Sequence, residues 1–85
     1  MASLRDVLNH AGKKVLLSGT SGVREGLAMR RADLMLLEPK LAPKVGDTLE
    51  FVETKERLRL ESADPQDHLG TVDHFRCKVS PLGRG

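Results

Sequence analysis

Tryptophan and tyrosine are absent from this sequence, and the only aromatic rings beyond histidine are Phe51 and Phe75. Binding of single-stranded nucleic acid rests on several aromatic faces against which bases stack, and two phenylalanines that fit a buried face make no such platform. There is one cysteine, Cys77, so no disulfide can form within the chain. Secreted domains of this length usually need such cross-links, so a reducing compartment is expected. Long apolar runs are missing as well. The first twelve residues, MASLRDVLNHAG, carry Arg5 and Asp6 and read neither as a secretory signal nor as a membrane span. No residue pattern of the type G-x-S-x-G or G-x-x-x-x-G-K-[ST] occurs. A nucleophile elbow and a phosphate-binding loop are therefore not indicated, and an enzyme is not expected. Internal repeats and low-complexity segments are also lacking.

Eighty-five residues form one domain. A domain of that size buries about 60–65% of the surface its unfolded chain exposes, so its own stability is modest. Within it, residues 44–79 carry three alternating segments. In 48–53, Leu49 and Phe51 fall on one face and Glu50 on the other. In 57–61, Leu58 and Leu60 oppose Arg57, Arg59 and Glu61. In 75–79, Phe75, Cys77 and Val79 alternate with Arg76 and Lys78. A period of two with one charged face is the mark of a half-buried antiparallel strand. The connection 53–56 is short enough for a hairpin, although no Asn-Gly or Asp-Gly fixes its turn type. Residues 63–73, with Pro65 and Gly70, read as a polar loop, and 80–85 as a flexible tail. The predicted core is Val15, Leu17, Leu49, Phe51, Leu58, Leu60, Phe75, Cys77 and Val79, with Arg57, Arg59, Arg76 and Lys78 outside.

Towards the N-terminus, Ser3 is placed to cap a helix in which Leu4, Val7, Leu8 and Ala11 follow helical spacing and Gly12 supplies the stop. Two helical turns are marginal in water, so this helix needs a surface to lie on. Residues 14–18 read as a strand, followed by a Gly-rich loop, 19–26. Residues 23–38 are open to two readings. Their middle holds good helix formers, yet Gly26 interrupts the pattern and Ala32-Asp33 can be a turn between strands at 24–30 and 34–37. Two strands fit better with the meander that follows. The run Leu34, Met35, Leu36, Leu37 suits a strand buried on both sides or one at a subunit contact. Pro39 and Pro43 make 38–45 an extended connection. The expected organisation is thus a helix over 1–12, β-structure over 13–79 and a tail over 80–85, mainly β: a small antiparallel β-barrel or sandwich with a short N-terminal helix.

Charge is close to balanced at +2, but unevenly placed. Residues 1–46 hold eight Lys or Arg and four Asp or Glu, a net of +4; residues 47–85 hold six and eight, a net of −2. Such a difference is common on solvated surfaces, and it also suits a subunit that meets its neighbour head to tail. His68, His74 and Cys77 lack a standard zinc spacing, and Asp64, Asp67 and Asp73 lack the calcium-loop pattern. A buried thiol and a solvated loop account for both groups, and neither a metal nor another cofactor is expected.

The order of these features carries a resemblance. Val45-Gly46-Asp47-Thr48-Leu49, a strand through Leu58 and Leu60, Ala63-Asp64-Pro65, Gly70, and a last strand 75–79 follow the order seen in the small head–tail joining proteins of long-tailed bacteriophages, the lambda type. The resemblance covers about 35 residues, mostly in the C-terminal half. It implies a small barrel or sandwich that assembles as a ring of its own copies between portal or adaptor and tail proteins, where channel DNA is a further candidate contact. It implies no membrane, and a place in the virion after assembly in the host cytoplasm. The family usually has an extended mobile loop, for which the candidates here are 19–26 and 38–44. The expected contact elements are the helix, the 19–26 loop and the 34–37 run with its extension, with Leu4, Leu8, Arg24, Leu34, Met35, Leu36, Lys40 and Lys44 as interface residues. Competing readings are a small-barrel nucleic-acid-binding regulator, using Lys13, Lys14, Arg30, Arg31, Arg57, Arg59, Arg76 and Lys78 as a basic face, and a phage-encoded inhibitor of a host protein.

Overall fold

The computed structural model describes residues 4–20 and 22–84. Helix α1, Leu4–Ala11, has the extent that the apolar spacing predicts, and the Gly12 N–H donates to the Leu8 carbonyl at 2.8 Å to close its last turn. The cap expected of Ser3 lies outside the described residues. Among the described residues seven strands follow: β1 (Lys13–Gly19), β2 (Gly22–Arg31), β3 (Leu34–Leu37), β4 (Thr48–Phe51), β5 (Glu56–Leu60), β6 (Asp64–His68) and β7 (Thr71–Arg84).

All pairings are antiparallel, in the order β3-β2-β1-β4-β5-β7-β6. β3 pairs with β7 as well, which closes six strands into a barrel and leaves β6 outside it. Phe75 and Arg76 pair with Leu37 and Leu36 of β3 on one edge and with Pro65 and Asp64 of β6 on the other. β6 therefore continues along the edge of β7 that β5 occupies further on. Closure excludes the sandwich alternative and leaves the wall without a free edge.

The reading of 23–38 as two strands holds. Helix-forming residues here lose to tertiary pairing: β2 has β1 on one side and β3 on the other, and Ala28, Met35 and Leu37 enter the core. Ala32, at φ 54, turns the chain between the two strands. The run 34–37 is buried on both faces, as one of its two readings has it. Met35 and Leu37 point inward, while Leu36, on the outer face, is also buried. The predicted inward set Val15, Leu17, Leu49, Leu58, Leu60 and Cys77 is fully buried, and Arg57, Arg59, Arg76 and Lys78 are exposed, so the register is the expected one.

Four expectations need correction. Phe51, Phe75 and Val79 are only partly buried. Phe51 ends β4 at one rim, with the Arg30 guanidinium 5.8 Å above its ring, and Phe75 sits where β7 leaves its last β3 partner. The polar loop at 63–73 is instead β6 and the start of β7, joined by a two-residue turn. Residues expected as a flexible tail continue β7 as far as Arg84, against β5. The 19–26 loop shrinks to a connection of two residues, since Gly19 already pairs with Gly22; Ser21 lies outside the described residues.

Candidate assembly surface

The barrel end at which β3 stops is closed by the chain itself. Residues 38–47 cross it from β3 to β4, with a 3-10 turn at Pro39–Leu41. Leu41 is buried over Gly26, on the inner face of β2. A Cβ at Gly26 would lie 2.9 Å from the Leu41 side chain and from the Glu38 carboxylate, so the glycine makes the space that Leu41 fills. The Glu38 carboxylate accepts a hydrogen bond from the Leu27 N–H. Next to this plug, Asp47 is 4% exposed, and its carboxylate accepts from the Arg24 guanidinium at 2.8 Å and from the Lys44 N–H at 3.0 Å. Arg24 Nε and Nη1 are buried without a hydrogen-bond partner among the described residues.

On the outer wall, α1 lies across β2 and β7, the two neighbours of β3. Leu8 and Leu36 are buried there, apart from the barrel core. Beside the helix is an open groove of about 540 Å³, with Val7, Leu34 and Leu36 as its apolar lining and Arg31, His74 and Arg76 as its polar one. Cross-strand pairing places Arg31 and Lys78 on either side of Leu34, and Arg76 beside Leu36. Among the described residues Arg31, Arg76 and Lys78 form no ion pair, whereas Arg30 pairs with Glu56 at 3.1 Å.

A two-stranded arm leaves the barrel where β6 and the start of β7 run beyond the last β3 pair, Leu37 with Phe75. Its tip is the turn Leu69-Gly70, between the paired residues His68 and Thr71. Both turn residues have positive φ, 53 and 83, the signature of a type I′ hairpin. Leucine is a poor choice in that conformation. Leu69 is nevertheless 93% exposed, more than any other large apolar residue described. Along β6, Pro65 and the carboxylates of Asp64 and Asp67 blunt the edge against open-ended pairing.

Among the described residues the titratable groups His74 and Cys77 do not come together. His74 Nδ1 is 3.0 Å from Asp73 Oδ2, and His74 stands on the opposite face of β7 from Cys77, three residues on. The His68 side chain lies outside the described residues. Among the described residues no group of three His, Cys, Asp or Glu could hold a metal ion. Cys77 is buried in the barrel, and burial, with the Asp64 and Asp47 charges adding to it, pushes its thiol up to about 12 from an ordinary 9.0. The folded state therefore holds the thiol neutral while the unfolded chain ionises above pH 9, so stability is fully present below pH 9 and falls as pH rises from 9 to 12. Cys77→Ala is expected to flatten that alkaline loss in urea titrations. In the native protein at pH 8 a thiol reagent is expected to label Cys77 no faster than the chain unfolds.

The residues expected at an interface fall into different roles. Leu8 and Met35 are buried inside the subunit and offer a neighbour no surface, while Leu36, 2% exposed, reaches only the floor of the groove. Arg24 is occupied by Asp47, and Lys44 contributes its N–H to the same carboxylate. Leu34 is half-buried in the groove, and Lys40 and Lys44 are exposed on the strap formed by residues 38–47, near Val45. The Leu4 side chain lies outside the described residues. Arg31, Arg76 and Leu69 were not among the expected contact residues. Leu69 had a visible signal, as the one large apolar residue in the polar stretch 61–71. Among the described residues no helix is long and apolar enough to cross a membrane. Comparison with family models, with curated proteins and with solved structures brought no match.

Proposed function

We propose that the protein is a structural assembly module that joins phage head to tail, as a component of a connector or tail-completion ring. It acts by contact with copies of itself and with portal, adaptor and tail proteins, and carries no enzymatic activity. The observation that carries this reading is the arm. A closed barrel satisfies its own strand edges, yet it extends a hairpin whose exposed apolar tip reaches beyond the folded body. An exposed apolar residue at the tip of a projecting hairpin is suited to capture by another protein. The resemblance in residues 45–79 points to the same class. The projection differs from the expected candidates, 19–26 and 38–44, since most of the first is the start of β2 and the second is folded over the barrel end.

Depleting the protein during phage production tests the proposal. Filled heads and finished tails that fail to join are expected. Normal virions would overturn it. Arg31, Arg76 and Lys78, which form no ion pair among the described residues, favour a second reading, a nucleic-acid-binding regulator. Tight, sequence-selective and salt-dependent DNA binding by the isolated monomer, together with normal virions, would transfer the assignment to it.

A further inference from the structure

We infer that the arm tip of one copy docks, through Leu69, into the groove beside Leu34 on a second copy, so that the chain carries both halves of a head-to-tail contact. Leu69 occupies a left-handed turn position that glycine or asparagine fills at less cost, and its side chain touches almost nothing in its own subunit. Local stability does not account for a leucine there; a contact outside the subunit does. The receiving surface is on the same molecule. The groove of about 540 Å³ has an apolar lining of Val7, Leu34 and Leu36 and a rim with the guanidiniums of Arg31 and Arg76, which form no ion pair among the described residues. The arm brings the matching charge: Asp67 is exposed on β6, two residues from Leu69. An apolar anchor beside a carboxylate fits an apolar groove beside two arginines. The root of the arm, at Gln66 and His74, borders that groove, and the tip is exposed, so the arm does not fold back to fill it. Knob and hole lie at different places on one chain, which makes the contact heterologous and closes a ring when the rotation permits. This deepens the joining reading and rests on it for its purpose.

The test uses the full chain, sedimented at low ionic strength up to millimolar concentration. Self-association that weakens with salt is expected. Leu69→Gly is expected to weaken it by about tenfold or more while keeping or raising the thermal midpoint of the dilute monomer, because glycine adopts the turn without strain. Asp67→Arg and Arg31→Glu are each expected to weaken association, and the double variant to regain it. A wild-type chain that stays monomeric at millimolar concentration overturns the inference, as does a Leu69→Gly chain that associates like wild type. Either result leaves the joining reading standing if depletion still separates heads from tails. Normal virions after depletion would overturn the joining reading while leaving measured self-association in place.

Discussion

Asp47→Ala is expected to lower the stability of the folded chain by about 3 kcal/mol, a large share of what a small domain has. The reason is the Arg24 guanidinium, which stays behind inside the barrel end. Arg24 lies on the inner face of β2 opposite Leu17, and its one ion pair among the described residues is the 2.8 Å contact with Asp47. Removing one partner of a mostly buried pair leaves an uncompensated charge, which costs more than the pair contributes when intact. Alanine also removes the acceptor of the Lys44 N–H, which holds the strap to the start of β4. Asp47→Asn, which keeps an oxygen there, is expected to cost less. Combining it with Arg24→Met is expected to recover much of the loss, since the stranded cation is gone. Urea unfolding of the three variants measures this. Equal stability of Asp47→Ala and wild type would mean that Arg24 reaches solvent and that the barrel end is open.

Leu41→Ala is expected to cost about 2–5 kcal/mol, the range for emptying a fully buried leucine site. Leu41 belongs to a connection between strands, where a substitution is ordinarily mild, but here it closes the barrel over Gly26. Gly26→Ala attacks the same contact from the other side: the new methyl would meet Leu41 at 2.9 Å, and overpacking of this kind costs about 1–3 kcal/mol. The two changes are coupled. In the double variant the alanine at 26 occupies part of the space that Leu41 vacates, so the combined loss is expected to fall short of the sum of the single losses. Additive losses in a thermal or urea double-mutant cycle would show that the two side chains do not share one space.

Local pattern was legible where one face of an element is apolar and the other charged. The alternation in β4, β5 and the middle of β7 gives the register, because a slip by one residue would turn Arg57, Arg59, Arg76 and Lys78 inward. Helix α1 was legible for the same reason, with spacing of three and four in place of two. The strands β2 and β3 were harder. Their residues favour a helix locally, and only the chance to pair with β1 and β7 makes them strands.

By itself, the sequence determined that the chain is a small, mainly β, antiparallel domain with a short helix before it, and which side chains face inward along most strands. These follow from periodicity, which neighbouring residues carry among themselves. The tertiary structure alone decided that the sheet closes between β3 and β7, that α1 lies across β2 and β7 with Leu8 buried, and that Arg24 finds Asp47 across the barrel end. It also decided that Asp64–His68, a stretch with proline and two aspartates, is a strand at all. β6 has little strand propensity of its own, and it forms because β7 is long enough to present an unused edge beyond β5. That edge carries the chain out to Leu69. The placement of the arm tip and its groove is thus a consequence of contacts between residues far apart in sequence, which no local pattern encodes.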